Sequence, residues 1–289
     1  MPVTIANERF EARIQELGAE LKSLRETATG TEYIWPGDEQ WWNGSAPVLF
    51  PIVGGLKDNK FRHNGVEYSL PQHGFARRSP FAASAVTGRS AAFELASGPE
   101  TRKAYPFDFQ LRVTFVLEAG GLAVQYDVRN PGSEAMYFSI GSHPAIRVPF
   151  AGGYLENYYL HFSEEESAER HFFDNGLILD KTAPAFDTRR QIYLRLDLFD
   201  QGVLIFKHPS SKVVSIRNSR NAHSVSLATG GAPYLGLWAK PGRCPFLCIE
   251  PWHGLPDSPS SSGELSQKEG ILRLDPGGIF TSTYRIEIE

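Results

Sequence analysis

The chain is poor in cysteine, in runs of positive charge and in long apolar stretches. Only two cysteines, Cys244 and Cys248, occur among its 289 residues. Four positions of extended chain span about 13 Å, beyond the reach of a disulfide. Reduced thiols and a cytoplasmic location are therefore expected. No Lys/Arg run appears and the net charge is −4, which argues against a nucleic-acid partner. No apolar run approaches the ~18 residues needed to cross a bilayer, so no membrane partner is expected. The opening Met-Pro-Val-Thr-Ile-Ala-Asn-Glu-Arg-Phe has neither the basic region nor the apolar core of a secretory leader. Several chemical signatures are also missing. No Gly-Lys-Ser/Thr follows Gly54-Gly55, so there is no phosphate loop. No Gly-x-Ser-x-Gly elbow occurs. Cys244, Cys248 and His253 have a spacing that fits no standard zinc knuckle, and no metal is expected there.

What is present points to many strands and many turns. Glycine numbers 27 and proline 20, with aromatics at 12%. Leu111, Val113, Phe115 and Leu117 alternate with more polar neighbours. After Gly120-Gly121, Leu122, Val124, Tyr126 and Val128 do the same, which predicts a hairpin with one buried face. Phe280, Tyr284, Ile286 and Ile288 repeat the pattern at the C-terminus. Shorter candidates at 203–206, 212–217, 223–228, 234–238 and 245–250 are separated by turn-rich segments, as in an antiparallel sandwich. One stretch disagrees: Ile14, Leu17, Leu21 and Leu24 fall at helical spacing, although Gly18 weakens a helix there. The Ser-rich 258–263 reads as a surface loop, and the chain is expected to form a single domain over 1–289.

Four stretches are candidates for chemistry. Pro47–Asp58 runs from an apolar strand into two glycines and Lys57-Asp58; read alone, it is also an ordinary strand-end turn. In Gln72-His73-Gly74-Phe75-Ala76-Arg77-Arg78 the glycine lets a ligand approach His73, and Arg77 offers a donor fork for hydroxyls or phosphate. A structural turn is the competing reading. In Ser139–Arg147 small residues precede His143, leaving room above an imidazole, though a lone histidine is often simply hydrogen-bonded in place. Finally, Pro245-Phe-Leu-Cys-Ile-Glu250-Pro-Trp-His sets one carboxylate at the end of an apolar strand beside an indole. An unpaired charge there is costly, so something neutralises Glu250 or the site uses it.

Together these stretches resemble the aldose 1-epimerase (galactose mutarotase) superfamily, and in particular its bacterial branch of small proteins often linked to lactose operons. The matching segments are Trp35-Pro-Gly-Asp38, Leu49-Phe-Pro-Ile-Val-Gly54, His73-Gly-Phe-Ala-Arg77, Gly141-Ser-His-Pro144, Leu237-Trp238 and Cys248-Ile-Glu-Pro-Trp252, in family order. The resemblance implies an all-β fold, a large antiparallel β-supersandwich with a sugar cleft on one sheet, and strand rather than helix around Gly18–Leu21. It implies that His143 is the general acid and Glu250 the general base, with His73 and Arg77 orienting the sugar. The branch often has Arg after its Val-Gly, where this chain has Gly55, so either Lys57 takes over that contact or the contact is lost. Asp200 is a candidate for the family's substrate-binding aspartate, and Trp238 for stacking on a sugar face or filling the core.

The activity so implied is exchange of the α and β anomers of a hexose by ring opening and closure. It moves only protons and needs no cofactor. The expected partner is a small sugar, and monomer and homodimer both stay open. Two other readings are a hexose-6-phosphate mutarotase, in which Arg77, Arg78 and Lys57 take the phosphate, and a non-catalytic sugar sensor on the same fold.

Overall fold

The alternation at 109–129 becomes a hairpin of Gln110–Glu118 and Gly121–Arg129 in the computed structural model, which describes residues 2–289. Leu111, Val113, Phe115 and Leu117 point inward and are buried, as are Leu122, Val124, Tyr126 and Val128. The C-terminal strand Ile279–Ile288 pairs with Gly121–Arg129 so that Tyr284 stands beside Val124, which faces Phe115. These strands form the centre of a nine-stranded sheet that extends through Ser224–Ala228, Val213–Asn218 and Tyr158–Phe162 on one side and Ser90–Ala96 and Ala82–Val86 on the other. All its pairings are antiparallel.

A second, eight-stranded sheet is built around Phe246–His253, flanked by Tyr234–Trp238 on one edge and by Ile140–Ser142 and Ala145–Arg147 on the other. The two sheets stack through a shared apolar core. Where polar groups meet across it they are paired: the Tyr126 hydroxyl and Ser142 Oγ are 2.7 Å apart, and His253 Nε2 and Ser282 Oγ 2.8 Å. One α-helix, Pro99–Ala104, is found among the described residues, and no helix is long and apolar enough to cross a membrane. The all-β sandwich expected from the sequence is therefore the observed architecture.

The helical spacing at the N-terminus yields to a hairpin, Phe10–Gln15 against Glu20–Glu26. Phe10, Ala12 and Ile14 alternate inward and are fully buried, whereas Leu17, a member of the helical stripe, is 51% exposed in the turn. Gly18 and Ala19 both take positive φ, a conformation that ends any helix. Both cysteines are free and buried.

Candidate active site

The strand Phe246–His253 alternates its side chains, so Leu247 and Ile249 enter the core while Cys248, Glu250 and Trp252 share the opposite face. Gly141 pairs with Trp252 and Ala145 with Cys248. These two ladders keep one register, in which position 143 stands across from position 250. Pro144 has no N–H and breaks the ladder between them. His143 is thereby delivered to Glu250, with Nε2 3.2 Å from Oε2. Behind His143, the Tyr126–Ser142 hydrogen bond holds the strand to the other sheet.

Glu250 is 1% exposed and its Oε2 has no hydrogen-bond partner; His143 Nδ1 has none either. Burial pushes the Glu250 carboxyl well above the usual carboxylate range, and the Trp252 indole N–H opposes that push. Burial also drives the His143 imidazole well below its ordinary value, and the neighbouring His73 and Arg77 add to this. His143 is held mainly by rings. Trp42 lies over it at 4.8 Å between centroids with an interplanar angle of 30°, and Trp238 meets it edge-on at 5.7 Å. Trp252 forms the floor. Gly141 and Gly236, on the strands to either side, make room for its indole: a Cβ on them would lie 2.8 and 2.5 Å from the ring.

These groups line one cleft of about 370 Å³, within the usual range for small-molecule sites. His73 and Arg77 reach it from the 72–78 segment. Gly54 N–H donates to His73 Nδ1 at 3.1 Å, and His73 N–H donates back to the Gly54 carbonyl at 2.8 Å. An Nδ1 that accepts must be unprotonated, so the ring proton sits on Nε2, 3.4 Å from the Gln72 side-chain amide. Burial lowers the His73 pKa to about 3, which keeps the ring neutral. Arg77 is half-buried, and no hydrogen bond or ion pair to its guanidinium is found among the described residues.

His143, Glu250, His73, Arg77 and Trp238 thus come together, whereas Lys57 and Asp200 do not. Lys57 begins a 3₁₀ turn whose next two residues, Asp58 and Asn59, take positive φ, and its exposed side chain borders a separate groove beside Lys60, Arg62 and Ser261–Gly263. Its backbone is engaged, the N–H donating to Asp257 Oδ2 at 3.0 Å and the carbonyl accepting the Lys60 N–H, and no hydrogen bond of its side chain is found among the described residues. Asp200 sits exposed in a turn closed by its own N–H to Asp197 O. Gly55 has a physical reason of its own. Its N–H donates to the carbonyl of Gly176, at the tip of the hairpin Arg170–Asp174/Leu177–Ala183, and a Cβ on it would lie 2.6 Å from that oxygen. The hairpin tip occupies the place a longer side chain would need. The same hairpin brings Phe173 to the cleft wall, which Val203 and Pro256 also line. Sequence reasoning missed Trp42, Gln72, Phe173 and Pro256. The Trp41-Trp42 pair within the polar 38–45 segment was the one available signal.

A protein-family model described as "Aldose 1-epimerase" matches residues 1–273. The plasmid-borne Protein LacX of Lactococcus lactis subsp. lactis is 29% identical, covering 100% of this chain and 99% of its own length. Among solved structures, a galactose mutarotase related enzyme from Lactobacillus acidophilus superposes with a TM-score of 0.93 at 33% identity, over 100% of this chain and 97% of its own. A galactose mutarotase-like protein from Lactobacillus casei ATCC 334 gives 0.91 at 32%, over 100% of each.

Proposed function

This chain belongs to the aldose 1-epimerase family, and on that premise we propose that it interconverts the α and β anomers of a free hexose through Glu250 and His143. The observation that carries the reading is the pair itself: a buried carboxylate and an imidazole 3.2 Å apart at a cleft, with the carboxylate oxygen left without a hydrogen bond.

The hydroxyl oxygen O1 and the ring oxygen O5 of a pyranose share one carbon, so two groups one hydrogen-bond length apart address both. The Glu250 carboxylate takes the O1 proton while the His143 imidazolium gives its proton to O5. The C1–O5 electron pair leaves on O5 and C1=O1 forms. Rotation about C1–C2 turns the aldehyde over. The carboxylic acid then returns its proton to the carbonyl oxygen as neutral His143 takes the proton from O5 and the ring closes. Each half-cycle passes one net proton between the two side chains. Burial favours the neutral form of both, which is their form while the sugar ring is open. Trp42, stacked on His143, favours the imidazolium form needed while the ring is closed.

Neutral His73 donates Nε2–H and Arg77 donates its fork to sugar hydroxyls, while Trp238 offers a ring to an apolar sugar face. Arg77 is the one Lys or Arg among the lining residues, with Lys57 directed to a different groove, so the cleft fits an unphosphorylated sugar better than a hexose phosphate. Polarimetry tests the reading. Freshly dissolved α-D-galactose or α-D-glucose should equilibrate faster with the wild type, and the gain should vanish in Glu250→Gln and His143→Ala. Saturable sugar binding without acceleration would instead mark a sensor. A faster reaction with hexose 6-phosphates than with free hexoses would reverse the substrate assignment.

A further inference from the structure

The acid–base pair has a third neighbour for which that mechanism has no task. Cys248 precedes Glu250 by two residues on the same strand face, and a nitrogen of His143, the Cys248 sulfur and a Glu250 carboxylate oxygen lie within 4.8 Å of one another, all from buried residues. We propose that this triangle is a binding site for a thiophilic divalent cation of the zinc or cadmium type, and that an ion held there switches the acid–base pair off. The inhibitory half of this statement rests on the function proposed above; the binding half does not.

Three atoms no more than 4.8 Å apart leave a point within about 2.8 Å of each, against the ~2.0–2.3 Å of zinc bonds to N, O and S. Closing that gap takes roughly 0.5 Å at the sulfur and up to about 0.8 Å at the nitrogen and oxygen. That movement breaks no hydrogen bond at Glu250 Oε2 or His143 Nδ1, since neither atom has a partner. A mixed set of sulfur, imidazole and carboxylate suits Zn²⁺ or Cd²⁺ and discriminates against Mg²⁺ and Ca²⁺, which take oxygen ligands. The thiol, and the Glu250 carboxyl wherever it is protonated, release their protons to solvent on binding, so thiolate and carboxylate together cancel the charge of the buried ion. Three protein ligands leave a fourth position, and His143 and Glu250 both border the cleft through which the ion enters and to which that position opens. The ion would engage the carboxylate oxygens and imidazole that must otherwise exchange protons with the sugar.

The test uses the full-length, reduced protein titrated with CdCl₂ and, separately, ZnCl₂. Cadmium should raise a thiolate-to-metal ultraviolet charge-transfer band that saturates at one ion per chain. That band should persist in Cys244→Ser and be lost in Cys248→Ser. Glu250→Gln should keep the band but weaken cadmium binding at least tenfold, which also reports on the site should Cys248→Ser fail to fold. In polarimetry, zinc should slow the wild type at concentrations at least tenfold below those that slow Cys248→Ser, and Cys248→Ser should remain active in metal-free buffer. A band that follows Cys244, uptake that does not saturate, or equal zinc sensitivity of wild type and Cys248→Ser would overturn the proposal. A saturating Cys248-dependent band in a protein that does not accelerate anomer exchange would leave the metal site standing and remove the enzymatic reading.

Discussion

Two buried acid–base pairs hang from the same stretch of chain, and they are built to opposite rules. Asp257 and Lys268 are 4% and 3% exposed and 2.8 Å apart. Every strong acceptor and donor there is engaged: Lys268 Nζ also donates to the Leu255 carbonyl at 2.7 Å, and Asp257 Oδ2 accepts the Lys57 N–H. The Asp257 backbone ties in as well, its N–H to Gly55 O and its carbonyl to Ile178 N–H. This one residue therefore binds together the 54–57 loop, the hairpin behind Phe173 and the loop carrying Pro256, three walls of the cleft. Glu250, seven residues back along the chain, is as deeply buried and its partner His143 is 10% exposed, yet this pair has orphaned atoms and a contact that meets no hydrogen-bond geometry. A saturated buried pair is architecture, because removing either partner leaves an uncompensated charge. An unsaturated one holds its desolvation cost in reserve for a ligand.

The contrast can be broken most directly at Glu250. Glu250→Gln and His143→Ala should each cut the rate of anomer exchange by about 10²–10⁴-fold, the range for a positioned acid or base, with circular dichroism unchanged. Lys268→Met should do the reverse. It should lower unfolding stability in urea by about 3–5 kcal/mol, the cost of stranding a buried charge, while the effect on rate is secondary and falls on KM through the loosened cleft walls. Glu250→Gln should instead raise Tm at neutral pH. The folded-state pKa of Glu250 lies above its unfolded value of about 4.3, so at pH 7 folding either takes up a proton or buries a charge, and the amide removes that cost. A fall in Tm comparable to that of Lys268→Met would show that the two pairs are alike.

A smaller effect is expected from His73. Its pKa is lowered to about 3, whereas unfolded histidine titrates near 6.5. Between those values the unfolded chain binds more protons than the native one, so the stability His73 provides is complete above about pH 6.5 and is lost as pH falls towards 3. The slope is about 1.4 kcal/mol per pH unit, and urea melts between pH 6.5 and 4 should be flatter by that amount in His73→Gln than in wild type. Smallest of all, Lys57→Ala and Asp200→Ala should move stability by no more than about 0.5 kcal/mol and kcat/KM by less than about twofold, since neither side chain faces the cleft.

Much of this was legible in the residues. Alternation is a local property, with side chains two positions apart on one face, so Leu111–Leu117, Leu122–Val128 and Tyr284–Ile288 announce both strand and buried face without knowledge of any partner. The oddity of Glu250 is local too: a carboxylate within Phe-Leu-Cys-Ile-Glu-Pro-Trp stands out on hydrophobicity alone. The segment 10–26 shows where local reading stops, because Ile14, Leu17, Leu21 and Leu24 satisfy a helix while Phe10, Ala12 and Ile14 satisfy a strand, and only the sheet they join settles the choice.

The sequence by itself determined the β character, the faces of the strands and the presence of a carboxylate and a histidine with unusual surroundings. Tertiary structure alone decided that 143 and 250 stand across one register, that the Gly176 turn fills the space over Gly55, that Trp42 comes from a distant loop to cover the imidazole, and that Lys57 turns away. The physical reason is range. Strand periodicity arises from steric and hydration effects among near neighbours, whereas register, close approach and ring stacking are set by packing between segments whose relative positions no nearby residue encodes.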